Sequence, residues 1–178
     1  MKQLSFIAIL FATLVCFSCN ETKPSSRENV YADDTLSVEV KGDQILVPYT
    51  RNGGELAEIQ VSLNGVPFNV LWDTGCSMTS ISNLEFLKMV KEGKITDDDY
   101  VGAINVTIGD GSSTQEKVYV IRELFIPGQD SEHYLRIQDV HVAVAENLAA
   151  PLLLGQNVMQ NLPKHSFNEN KEVIEFEK

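Results

Sequence analysis

The sequence predicts an all-β domain, mainly strands with one or two short helices, folded as a small closed or half-closed barrel. Three observations carry that expectation. Short apolar runs separated by turn residues recur from about residue 36 onward. Asn64-Gly65, the strongest kind of short-range hairpin signal, sits between two of those runs. Helix signals are confined to two brief stretches, 82–93 and 156–162.

Taken in order, residues 37–40 and 45–49 flank Lys41-Gly42-Asp43-Gln44 and are expected to pair as a hairpin. Residues 56–63 and 66–72 flank Asn64-Gly65 and should form a second. Ser82-Asn83-Leu84-Glu85 has capping-box spacing, Leu84, Leu87 and Val90 share one face, and Gly93 can end that helix. Ile104, Val106 and Ile108 alternate with Asn105 and Thr107, the period of a half-buried strand. Gly109-Asp110-Gly111-Ser112-Ser113 then turns the chain, and a strand over 118–126 returns. Later strands are expected at 136–144, 150–154 and 173–176, with Val158, Met159 and Pro163 marking the second helix and its stop.

At 178 residues and 43% hydrophobic, the chain can bury one core of ordinary size. Its formal net charge of −11 argues against a nucleic-acid partner, since phosphate contacts need clustered Lys and Arg. It argues equally against charge-driven binding to an anionic membrane. Lys2, the apolar stretch 4–17 and Ser18 read as a signal peptide over 1–18. Cys19 and the polar residues behind it resemble a bacterial lipoprotein signal, with Cys19 as the lipidated residue, although Cys16 and Phe17 depart from that pattern. Cleavage by an ordinary signal peptidase after Ser18 is the alternative. Either way the domain, 36–178, is expected to be exported to a periplasmic or cell-envelope location. Residues 19–35 form a polar tether, and the membrane is a partner only through the lipid.

Of three cysteines only Cys76 lies within the expected domain, so burial rather than disulfides must stabilise it. No metal site is read. His133, His141 and His165 lack ligand spacing, and Asp97-Asp98-Asp99 lacks the glycine turn and distal Glu of a calcium loop. No cofactor is expected.

The chemistry centres on residues 69–80, NVLWDTGCSMTS. An apolar strand, Phe68 to Trp72, delivers Asp73 into a glycine turn rather than into open solvent, and Gly75 lets the backbone approach whatever faces it. Pro151-Leu152-Leu153-Leu154-Gly155 is a second apolar strand ending in glycine and leading into a helix.

Three landmarks together resemble the retropepsin-like aspartic proteases: Asp73-Thr74-Gly75-Cys76-Ser77, the glycine hairpin Gly109-Asp110-Gly111, and Leu153-Leu154-Gly155-Gln156-Asn157. The order and spacing match over about residues 45–178, including a closing turn at Phe167-Asn168-Glu169-Asn170. The resemblance implies a closed acid-protease barrel, one lobe per chain, with Asp73 catalytic in an active-site loop of Thr74, Gly75, Cys76 and Ser77. It implies a flap at Gly109, Asp110 and Gly111, and a supporting segment of Leu153, Leu154 and Gly155 packed beneath the loop.

Peptide hydrolysis by such a site needs two carboxylates sharing one proton, because like charges about 3 Å apart cannot both ionise comfortably. The chain carries one Asp-Thr-Gly, so the expected enzyme is a homodimer with Asp73 from each copy on a two-fold axis. Thr74 would brace the two loops across that axis, as in the resembling family, and a peptide or protein is the implied substrate. Cys76 stands where those proteins usually carry Ala or Ser. A thiol is a weak donor, which predicts a dyad working at mildly acidic to near-neutral pH. Trp72 is expected to pack under the loop. Cys76 as a nucleophile lacks a neighbouring His in the sequence. The alternatives from other classes are a lipid-tethered peptide-binding or dimerisation module of the same fold, working by strand addition, and an envelope structural protein.

Overall fold

The computed structural model describes residues 36–51, 53, 56–107 and 111–178. The expected signal peptide, the tether, Cys19, and the flap residues Gly109 and Asp110 lie outside the described residues. Among the described residues lie eleven strands, two short α-helices and a 3-10 turn at Asp97–Asp99: β1 Ser37–Lys41, β2 Gln44–Thr50, β3 Glu58–Leu63, β4 Val66–Trp72, β5 Ser80–Ser82, α1 Asn83–Lys91, β6 Tyr100–Thr107, β7 Ser113–Asp130, β8 His133–Ala145, β9 Leu153–Leu154, α2 Gln156–Met159, β10 His165–Asn168 and β11 Val173–Glu177. The predicted mainly-β class holds.

Strands pair in the order β10-β11-β2-β3-β4-β9-β5-β8-β7-β6, and β3 also pairs with β7. That extra pairing, Ser62 opposite Phe125 and Leu63 opposite Leu124, returns the sheet to itself and makes a ring of β3, β4, β9, β5, β8 and β7. The two-residue alternation along the strands fills the ring with apolar side chains: Ile59, Val61 and Leu63 from β3, Val66, Val70 and Trp72 from β4, Ile137, Val140 and Val142 from β8. Asn64 and Gly65 both take positive φ, 48° and 83°, the conformation of a tight turn whose twist suits the β3–β4 hairpin.

Two local expectations are corrected. β1 and β2 do not pair with each other. β1 runs antiparallel to β8, with Val38 opposite Ile137, while β2 pairs with β11 and β3. Gly42 still turns the chain at φ 99°, but β8 is long enough to take β5 on one stretch of its edge and β1 on another. Glu39 on β1 meets Arg136 and Tyr134 on β8, contacts that no local rule foresees.

The second correction concerns α1. Ser82 caps it as expected, its hydroxyl accepting from the Leu84 and Glu85 amides. The reciprocal half of a capping box is absent, and Glu85 Oε2 has no hydrogen-bond partner. The shared face of Leu84, Leu87 and Val90 is exposed; the helix docks instead through buried Met89 and half-buried Phe86, whose ring lies 4.7 Å from that of Tyr119. A complete capping box stands where none was read, between Thr96 and Asp99. Asp99 is buried there beside Arg122. Burial alone would raise its carboxyl, but the Thr96 amide and the Arg122 guanidinium outweigh it and hold the group below its ordinary value.

Candidate active site

Asp73 follows directly on β4, the strand that runs through the core beside β9. Leu71 pairs with Leu153 and Trp72 with Leu154, in parallel, and the Asp73 amide donates to the Leu154 carbonyl at 3.2 Å. The apolar anchors explain why the carboxylate is fixed. Trp72 is buried, its ring meeting His165, Phe167 and Phe176 of the β10–β11 hairpin edge-on or tilted at 5.2 to 6.1 Å. These contacts fix the end of β4 and with it the backbone of Asp73.

Beyond Asp73 the chain folds back on itself. Asp73 Oδ1 accepts the Gly75 amide at 2.8 Å and the Asp73 carbonyl accepts the Cys76 amide at 3.2 Å. These local bonds hold a tight turn, the usual behaviour of an aspartate that bonds the backbone two residues on. Asp73 remains half-buried, while Thr74, Gly75 and Ser77 are exposed.

The Leu153-Leu154-Gly155 segment lies against this loop from below. A side chain at Gly155 would place Cβ 2.5 Å from the Met78 carbonyl carbon and 2.6 Å from the Thr79 amide nitrogen, so only glycine fits. The contact is continued by hydrogen bonds. The Gln156 and Asn157 amides donate to the Cys76 and Ser77 carbonyls at 2.8 and 3.1 Å, and Gln156 Nε2 donates to the Thr74 carbonyl at 3.0 Å. Beneath them Thr79 and Asn157 form a buried knot. Asn157 Oδ1 accepts from the Thr79 amide and hydroxyl, the Thr79 hydroxyl accepts the Gly155 amide, and Asn157 Nδ2 donates to the His141 carbonyl.

Cys76 makes its hydrogen bond with the backbone rather than with the Asp73 carboxylate. Its thiol donates to the Met78 carbonyl at 2.8 Å. Burial pushes the thiol above its ordinary value and the negative charges of Asp73 and Glu116 push it further, against the lowering effect of the Met78 contact. A thiol held protonated is a poor nucleophile.

Asp73 borders a cavity of about 440 Å³ enclosed between the loop and the β6–β7 hairpin. Ile104, Val106 and Thr107 from β6 and Glu116 from β7 supply the hairpin wall; Ala143, Ala145 and Leu153 supply part of the opposite one. The hairpin is in register from Ala103 opposite Lys117 to Thr107 opposite Ser113, and Gly111 at its turn has φ 86°. Thus the residues read from sequence as loop and support meet at one place, with the expected flap hairpin across the cavity. Three contributors were not singled out as site residues. Thr79 and Asn157 are polar residues whose pairing spans the fold, and Glu116 looked like one more acid of an acidic chain. Only the alternation that puts Glu116 on the same face as Val118 hinted at it.

Among the described residues no group of three or more His, Cys, Asp or Glu side chains is placed to hold a metal ion. What the arrangement can do is present a carboxylate, fixed by its own turn, to an extended ligand lying in the cavity.

Residues 59–161 match a family model described as "gag-polyprotein putative aspartyl protease". No curated protein matches the chain. Among solved structures, a retropepsin-like aspartic protease from Rickettsia conorii is similar, at 14% identity and a TM-score of 0.49, over 79% of this chain and 94% of that one.

Proposed function

The chain belongs to the gag-polyprotein aspartyl protease family, a retropepsin-like aspartic protease family, and from that premise we propose that it is an endopeptidase working as a homodimer, with Asp73 of each copy forming the catalytic pair. The observation that carries this reading is the loop itself. A single carboxylate ends a core strand, held by its own turn and by the Gly155 segment, and opens on a cavity.

In the pair, one carboxylate is ionised and the other protonated. The ionised group takes a proton from water as the water attacks the peptide carbonyl carbon. The protonated group donates to the carbonyl oxygen, and a proton then passes to the leaving nitrogen as the C–N bond breaks. The two aspartates titrate as one unit, so neither macroscopic step belongs to one chain. Thr74, exposed in the single chain, is free to meet its counterpart across the axis. The same reading carries export and lipid anchoring at Cys19, tested by whether Cys19→Ser abolishes fatty-acid labelling.

The test is hydrolysis of a broad peptide library by wild type and by Asp73→Asn, with sedimentation of both. Cleavage by wild type alone, with both proteins dimeric, is expected. A protein fully active as a monomer, or an Asp73→Asn variant that still cleaves, would exclude the reading. Binding of the library without any cleavage would favour the peptide-binding module.

A further inference from the structure

The cavity beside Asp73 holds a second carboxyl that the proposed chemistry does not use. Glu116 lies on β7, opposite Ile104 of β6, and is 6% exposed. Among the described residues its side chain has no hydrogen-bond partner and no ion-pair partner. Asp99, the other buried acid, has both. The Glu116 carboxyl oxygens are not sealed in the core but open on the cavity, where burial still penalises the charge and a partner of opposite sign would relieve it.

The surroundings say what that partner is. Among the described residues no Lys, Arg or His lines the cavity, whereas Asp73 and Glu116 both do. Near Glu116 the charged and titratable neighbours are Glu146 at the end of β8 and Cys76 in the loop. The walls have aliphatic stretches, Ile104 and Val106 on one side and Ala143 and Leu153 on the other, alongside the neutral polar Ser77, Ser80, Asn105 and Thr107. A volume of about 440 Å³ falls within the range of small-ligand pockets, about 300 to 1,000 Å³. Aliphatic stretches with an acid set among them match a side chain whose long apolar stem ends in a cation.

We propose that Glu116 is the specificity-determining residue of this cavity and selects peptides that place a lysine or arginine side chain there. The inference rests on the endopeptidase reading and names the substrate class within it. The cationic end pairs with the Glu116 carboxylate while the aliphatic stem lies along Ile104 and Val106, which leaves the peptide backbone across the mouth beside Asp73. An acidic side chain would meet two carboxylates with no counter-ion and is rejected, which is how a buried charge discriminates. Burial, and then Glu146, push the free Glu116 carboxyl above its ordinary value. Preference for the cation should therefore strengthen as pH rises and this carboxyl ionises.

The test uses the full chain and a decapeptide library randomised at every position. Wild type is incubated with the library and the cleaved bonds are read by mass spectrometry; immobilised Asp73→Asn protein retains peptides from the same library without cutting them. Both are repeated with Glu116→Gln added. Lys and Arg should be enriched at one fixed position relative to the cleaved bond, about tenfold over Leu, as a buried charge pair requires, and in the retained pool. Glu116→Gln should remove both enrichments while cleavage of peptides with a neutral residue at that position continues. Cleavage without cationic enrichment, or enrichment that survives Glu116→Gln, overturns this inference and leaves the endopeptidase standing. Cationic retention that depends on Glu116 but occurs with no cleavage by wild type overturns the endopeptidase and keeps the selective groove.

Discussion

Thr79 Oγ1 donates to Asn157 Oδ1 at 3.0 Å, and both side chains are buried beneath the Asp73 loop. The same hydroxyl accepts the Gly155 amide at 3.1 Å, so one side chain ties the strand after the loop to the start of α2. Replacing Thr79 with Val keeps the shape but leaves the Gly155 donor and one Asn157 lone pair unmet. A buried unsatisfied group costs about 1 to 3 kcal/mol. Thr79→Val should lower the melting temperature by about 3 to 10 °C. Thr79→Val and Asn157→Leu together should cost less than the sum of the two, with a coupling of at least about 0.5 kcal/mol. Additive losses in thermal melts would show that the two side chains act independently.

Cys76 should be dispensable for chemistry. Its thiol bonds the Met78 carbonyl and is pushed up, above its ordinary value, first by burial. Cys76→Ser should retain activity within about threefold, because a hydroxyl can make the same contact and nothing in the mechanism uses the thiolate. A loss of about a hundredfold or more, the scale on which a reacting group is missed, would reinstate the nucleophile. Peptide turnover at fixed pH decides it.

Glu116 should make stability depend on pH in a direction opposite to that of most acids. Its folded carboxyl is raised above 4.5, chiefly by burial. Below that ordinary value both folded and unfolded chains hold the proton, and the residue costs nothing differential. As pH rises toward the folded value the unfolded chain releases its proton first, so stability falls, and it levels off above the folded value. Glu116→Gln should therefore match wild type near pH 4 and melt at a higher temperature than wild type at pH 7. A variant less stable than wild type at pH 7 would mean that the carboxylate is already paired.

The sequence made the strand–turn grammar legible wherever the rule was local. Asn64-Gly65 could hardly be anything but a tight turn, whereas the packing of Gly155 beneath the loop, against Met78 and Thr79, was expected only from the family resemblance. Asp73 stood out because an apolar strand ran straight into it. What stayed hidden was non-local. Nothing near β1 says that its partner is β8, far along the chain, rather than β2 next door. The helical period of α1 has two readable faces, one with Leu84, Leu87 and Val90 and one with Phe86 and Met89. Which is buried depends on the strands the helix packs against and on partners such as Tyr119, all distant in the chain or set by the fold. Thr79 and Asn157 are unremarkable until the fold brings them together, and Glu116 is one acid among 25 Asp and Glu residues until its burial is seen.

Mixing wild type with increasing Asp73→Asn protein, allowing chains to exchange, and following peptide turnover at constant wild-type-plus-variant concentration tests the shared site most directly. If each site needs an aspartate from both copies, activity at an equal mixture falls to about one quarter of the all-wild-type value, because only dimers with two intact chains work. Activity of about one half, falling in simple proportion to the wild-type fraction, would mean that one chain suffices and would contradict the account.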